Sequence, residues 1–427
     1  MTLGWGQIMR LGLVQAALGA IVVLTTSTLN RLMVVELALP AVLPGMLVAL
    51  HYGIQLTRPQ WGFRSDTGGN RTRWIIGGMA VLALGGLGAA AGVVLMQTAY
   101  WAGLALSVLA YAAIGLGVGA SGTSLLALLA STTAPERRAA AATITWLMMI
   151  FGIAVTASVV GAQLHPYSPA LLLRIVAIVA AGAVLLTILA VWGIEARLTA
   201  APEPETLPFR QGLAEIWQEP RARHFTIFVF LSMTAYFMQE LILEPFGGLV
   251  FGLTPGQTTS LSGAQNGGVF AGMLVVGIMA TGLKRGSLRA WVIAGCLGSC
   301  AALCLISVIG TLGLLTAFTP LVVALGFFNG MFAVAAIGSM MALAGEGRGR
   351  REGTRMGLWG AAQAVAAGFG GLAGAALVDL FRLARLGDAH AFGAVFVIEA
   401  AIFVAAALMA MRIMAPRRIQ PFVIAGE

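Results

Sequence analysis

Long apolar runs alternate with short polar segments from one end of the chain to the other. A helix needs about 20 mainly apolar residues to cross roughly 30 Å of hydrocarbon. Runs near 11–35, 40–57, 74–96, 102–130, 143–164, 170–194, 224–243, 259–282, 290–309, 314–344, 356–378 and 392–412 come close to or exceed that length. They are continuous and lack the period-two alternation of barrel strands, so they predict helices. The first run follows Arg10 in the manner of a signal peptide. Because similar runs recur throughout, it reads as the first of about twelve spans.

Composition agrees with the pattern. Of 427 residues, 59% are hydrophobic and 10% charged, with a mean hydropathy of +0.93. Soluble chains carry roughly 25% charged residues, so this chain cannot coat a soluble globule. A soluble enzyme, a disordered chain and a disulfide-built secreted domain are excluded. The net charge of +9 would suggest nucleic acid in a soluble protein. Here 21 of the 25 Lys and Arg fall in alternate loops, leaving Arg31, Arg174, Arg382 and Arg385 for the other side. That is the positive-inside arrangement, which places both termini in the cytoplasm and makes the span count even. The expected surroundings are membrane lipids, not nucleic acid.

Glu195 to His224 interrupts the pattern with Pro202, Pro204, Pro208 and Pro220. It reads as a cytoplasmic linker, giving an N-terminal six-helix half over 1–194, the linker over 195–223 and a C-terminal six-helix half over 224–427. Phe209, Leu213, Ile216 and Trp217 recur at helical spacing within it, as in a short helix lying on the membrane surface. A second such piece is expected over Asp379–His390 on the opposite face. A shift of 213 positions lays Arg137, Arg138, Trp146 and Gly161 on Arg350, Arg351, Trp359 and Gly374. The fold class expected is an all-α membrane protein of about twelve helices in two halves, the plan of the major facilitator superfamily.

Between the second and third spans stand Gly62, Asp66, Gly69, Arg71 and Arg73, resembling the loop signature of that superfamily. Glycines permit a tight turn, and Asp66 is placed to pair with arginines and cap a helix end. The equivalent loop of the second half has Lys284, Arg285 and Arg289 but no acid. Gly117, Gly119 and Gly122 spell a dinucleotide fingerprint, yet they lie inside a span without the strand such a site needs. Together with Gly115/Gly119 and Gly370/Gly374 they predict close helix packing. Cys296, Cys300 and Cys304 line one helix face and read as small apolar packing, not a metal or disulfide site.

Ionisable residues inside spans carry more functional weight, because burying them is costly. Arg31 and Glu36 sit near the outer end of the first span, and Glu240 and Glu244 near that of the seventh. They suit either proton coupling or a structural network. His51 lies inside the second span and Glu399 inside the twelfth. His51 is the only histidine placed well inside a span, and a histidine hydrogen-bonded within the bundle is one reading of it. The four histidines are scattered, without nucleophile–base spacing, so no enzyme is expected.

Leu29-Asn-Arg-Leu-Met-Val-Val-Glu-Leu-Ala-Leu-Pro40, Leu50-His-Tyr52, Arg58-Pro59 and Gly62-Phe-Arg-Ser-Asp66 resemble the PucC family of light-harvesting assembly proteins, the bacteriochlorophyll delivery branch of the facilitator superfamily. Met238-Gln-Glu-Leu-Ile-Leu-Glu-Pro245 with Gly247 and Gly248 resembles its seventh span. The resemblance implies delivery of bacteriochlorophyll, or assistance, during light-harvesting assembly. With a pigment implied, His51 becomes the expected side-chain ligand for its magnesium, and Tyr52 adds aromatic surface beside it. The resemblance also implies bacteriochlorophyll synthase and light-harvesting polypeptides as partners, bacteriochlorophyll as cofactor or cargo, and a bacterial cytoplasmic or intracytoplasmic photosynthetic membrane. The alternative is a proton-coupled facilitator moving a small or lipid-like solute. Few polar side chains are available to line a central path, which favours the pigment reading.

Overall fold

The computed structural model describes residues 3–58, 61, 71–134, 137–194, 217–283, 285–345 and 352–414. The chain enters through α1 (Trp5–Val23), which continues as two π-helical turns, Leu24–Leu29 and Leu32–Glu36. It goes on through α2 (Val42–Ile54), α3 (Arg71–Met96), α4 (Tyr100–Thr132), α5 (Arg138–Gln163) and α6 (Pro169–Val191). The second series is α7 (Pro220–Met238), α8 (Leu243–Phe251), α9 (Pro255–Val276), α10 (Leu288–Leu312), α11 (Leu315–Gly345), α12 (Glu352–Leu383) and α13 (Asp388–Ile413). Among the described residues, eleven helical stretches are long and apolar enough to cross a membrane, α7 and α8 counting as one, and Val42–Thr57 is a shorter apolar helix. This is a multi-pass membrane protein.

The alternating helices place Arg10, Arg71 and Arg137 at one end of the bundle, hereafter the basic end. Arg10 there donates to the Leu189 and Trp192 carbonyls (3.0 and 2.8 Å), taking up acceptors that the end of α6 leaves unpaired. At the opposite end Arg382 pairs with Asp388 at 2.9 Å. The expected surface piece over 379–390 does not form. Asp379 belongs to the last turns of α12, Arg385 takes a left-handed φ of 65° to reverse the chain, and α13 starts at Asp388. Of the amphipathic linker residues only Trp217 lies within the described residues, and it is half exposed. Gly62, Asp66 and Gly69 of the loop signature also lie outside them, whereas Arg71 donates to the Ala127 carbonyl at 3.0 Å.

Among the described residues two large hydrophobic cores form, and a small third cluster of Val34, Ala41 and Ala375 bridges the sets. Of the fully buried side chains, one core draws on α1–α6 and takes Leu241 from beyond Ile194, and the other draws on α7–α13 and takes Ile150 from before Ala222. Glycines set the closest approaches. A Cβ on Gly117 would stand 2.5 Å from the Leu82 amide, and one on Gly374 2.7 Å from the Met238 carbonyl, so both serve helix packing as their spacing predicts.

Glu399 lies fully buried in the second core, with neither carboxyl oxygen hydrogen-bonded. Burying a polar group without a partner costs about 1–3 kcal/mol by mutational measures. Glu399→Met, which keeps the volume, is therefore expected to raise the melting temperature of the purified protein. A melting temperature below wild type would show that the carboxyl has a stabilising role.

Candidate functional site

The two helix sets meet along α2–α12 and α5–α9, and along the π-helical end of α1 packed on α8 and α9. The α1 end is unusual for a span. Thr25, Thr26, Ser27, Thr28, Asn30 and Arg31 are consecutive or nearly so, and all are buried. Thr25 and Thr26 donate to the Val22 carbonyl (2.8 and 3.2 Å), the back-bonding that loosens a helix. The widened turn changes the backbone pairing, and the Thr25 carbonyl accepts the Tyr111 hydroxyl at 2.8 Å.

A proline prepares the opposing surface. Pro245 lacks an N–H, so the Leu241 carbonyl four residues earlier loses its helical partner. The seventh span accordingly breaks at a 3₁₀ turn, Gln239–Leu241, before resuming as α8. Asn30 fills the gap by donating to that carbonyl at 2.7 Å. Beyond α8, Gly252 adopts a φ of 68° and ends the helix, and Arg31 donates to the following Leu253 carbonyl at 2.7 Å. Arg31 also forms an ion pair with Glu36. Ser27 donates to the Glu244 carboxylate, and the Thr28 and Thr259 hydroxyls pair at 3.0 Å. Asp379 of α12 accepts the Val42 amide at 2.7 Å, capping the start of α2 across the same boundary.

The four charged residues expected near this end thus divide into distinct contacts. Arg31 with Glu36 and Glu244 with Ser27 join one network, while Glu240 lies one turn away beside Thr26. Ser27, Thr28, Asn30 and Asp379 were not singled out from sequence. The signal available was the polar run from Thr25 to Arg31 inside an otherwise apolar helix. The boundary is more polar than the overall composition suggests.

Nearer the basic end, His51 is buried, and its Nε2 lies 2.9 Å from the Gln55 side-chain nitrogen. Arg58 donates to the Gln55 oxygen, which orients the amide so that its N–H points to the histidine. Nε2 therefore accepts, and Nδ1 carries the proton without a partner. The Tyr52 ring stands edge-on to His51 at 4.7 Å and faces Phe237 of the second set at 6.0 Å. Tyr236 packs on Phe237 at 5.1 Å. The Nε2 lone pair of the imidazole is thus taken by Gln55 beside an aromatic cluster of Tyr52, Tyr236 and Phe237.

The fold and this boundary define a class: a major facilitator-type membrane protein. A bacterial homologue of the human lysosomal transporter Spinster, solved inward-facing and unoccupied, matches with a TM-score of 0.70 over 96% of both chains, at 15% identity. The family is more specific. The model of the PUCC protein family matches residues 28–418, and the chain belongs to that family. It is 68% identical, over the full length of both, to the protein of Rhodobacter capsulatus named bacteriochlorophyll synthase 44.5 kDa chain. It is 30% identical to Protein PucC of the same organism, covering 95% of this chain and 91% of that one.

Proposed function

We propose that this protein handles bacteriochlorophyll without transforming it, delivering pigment for, or assisting, the assembly of light-harvesting complexes. The observation that carries this reading is the full-length 68% identity to a chain named for bacteriochlorophyll synthase, within the PUCC family. The name of that relative contains an enzyme. A non-enzymatic role is supported by the facilitator-like fold and by the engagement of Arg31 and Glu244 in contacts between helix sets. The reading includes two six-span halves, 1–194 and 224–427, joined by the linker 195–223. It also includes cytoplasmic termini, on the asymmetry of Lys and Arg, and a bacterial photosynthetic membrane. Bacteriochlorophyll synthase and light-harvesting polypeptides are the partners it implies.

Within this reading His51 and Tyr52 contact the pigment, and His51 ligates its magnesium when Gln55 turns away. Purification from a bacteriochlorophyll-making host is expected to yield a coloured protein that carries the pigment unchanged. His51→Ala should lower pigment per protein and shift the red absorption band, while Gln55→Leu, which frees Nε2, should raise pigment retention. A colourless wild type would overturn the pigment reading. Equal pigment and an unshifted band in His51→Ala would remove only the ligand assignment. A second reading, a facilitator carrying a small or lipid-like solute, is favoured by the buried polar run on α1 and predicts a colourless protein.

A further inference from the structure

The environment of Glu244 contains more oxygen than its hydrogens can satisfy. Glu244 is 3% exposed, and its Oε1 accepts from Ser27. Its Oε2 is buried without a hydrogen-bond partner. The side chains of Thr258 and Ser262 stand beside the carboxyl, and both residues are buried. Thr258 has already spent its proton, because its hydroxyl donates to the Pro255 carbonyl at 3.1 Å. What it turns toward Glu244 is a lone pair. Arg31 is the nearby cation, but its two terminal nitrogens go to Glu36 and to the Leu253 carbonyl, and its Nε has no hydrogen-bond partner. Glu36 and Glu244 therefore share one guanidinium, which leaves a buried carboxylate facing hydroxyl oxygens one positive charge short.

Carboxylate and hydroxyl oxygens gathered in a dry site are the ligand set of a hard cation. One carboxylate among neutral oxygens balances a single positive charge, and a divalent ion would stay uncompensated. We propose that Glu244, Ser27, Thr258 and Ser262 form a binding site for a sodium ion. The ligands come from both helix sets, Ser27 from the π-helical end of α1 and the other three from α8 and α9. An ion held here ties the sets together beside the Asn30 and Arg31 contacts, so sodium stabilises the closed arrangement of this end. This goes beyond the pigment reading and does not depend on it.

The test is the melting temperature of the full-length protein in detergent, with sodium, potassium or choline chloride at one ionic strength and one pH. A ligand present at about a hundredfold its Kd stabilises the folded state measurably. Wild type should melt at a higher temperature in sodium, with a saturable dependence on its concentration. Ser262→Ala, a mild change, should weaken the apparent sodium affinity about tenfold or more, and Glu244→Gln should abolish the shift. Glu399→Gln, a buried carboxyl elsewhere, should keep it. Identical melting in all three salts would overturn the proposal. So would a sodium shift left undiminished in both Ser262→Ala and Glu244→Gln, or one that also vanishes in Glu399→Gln. A response to pH with none to sodium would assign the missing positive charge to a proton and likewise overturn it.

Discussion

Arg31→Ala is expected to be among the most damaging single substitutions in the chain, lowering stability by about 3 kcal/mol. Breaking a buried ion pair from one side costs about 3–5 kcal/mol because the other charge is stranded. The lower end applies because the Glu36 side chain is 39% exposed and partly solvated, whereas that of Arg31 is only 3% exposed. The loss is compounded because Arg31 also holds the Leu253 carbonyl across the boundary. Arg31→Lys should fall in between, since a single ammonium cannot span both partners as the guanidinium does. Arg31→Ala with Glu36→Ala should recover part of the loss. Melting temperature and the fraction eluting as a monodisperse peak measure these effects. An Arg31→Ala protein that melts like wild type would refute this role of the Arg31 contacts.

The second large effect is expected at Gly161. A Cβ there would stand 2.4 Å from the Ser260 amide and 2.7 Å from the Gly256 carbonyl. Both are backbone atoms of α9, so no side chain can move aside to make room. Gly161→Val should force α5 and α9 apart and open the end of the bundle where the Thr28 and Thr259 hydroxyls pair. In a background with Cys296, Cys300 and Cys304 replaced by alanine, cysteines at 28 and 259 should cross-link readily on oxidation. Adding Gly161→Val should suppress the cross-link. Gly182→Ala supplies the comparison, because nothing lies within 4 Å of a Cβ at that position. Equal cross-linking in the Gly161→Val and Gly182→Ala proteins would count against the close seam.

The spans were legible because their cause is local: a helix in hydrocarbon needs a fixed length of apolar residues, and the chain displays that length openly. Departures arose where tertiary contacts intervene. The seventh span extends to Phe251, beyond the apolar run ending near 243, because a proline-induced break lets a second helical piece resume after it. The piece expected over 379–390 gave way because Asp379 remains helical to cap α2, a partner more than 300 residues distant. Arg31, Glu36, Glu240 and Glu244 could be found in sequence as charges inside apolar runs. Ser27, Thr28 and Asn30 showed only as part of a polar run, since hydroxyls and amides are ordinary in spans and their meaning appears only beside Glu244, Thr259 and Leu241. Gln55 was hidden for a similar reason. Its hold on His51 depends on Arg58 turning the amide one way, which no spacing rule conveys.

The near-complete separation of the two hydrophobic cores has a consequence for how the protein is made. Among the described buried side chains, Leu241 alone enters the first core from the later part of the chain. That core can therefore consolidate while the later helices are still being synthesised, an interval on the order of ten seconds or more at ribosomal speed. During that interval the polar turn of α1 has no opposing surface, and Ser27, Thr28, Asn30 and Arg31 lie open at the flank of an already packed bundle. Their partners arrive on the segment from Leu241 to Thr259, which spans the 3₁₀ turn, α8 and the start of α9. The contacts that close one end of the finished molecule thus wait until the chain has been made through Thr259, and the cap that Asp379 places on α2 comes later still.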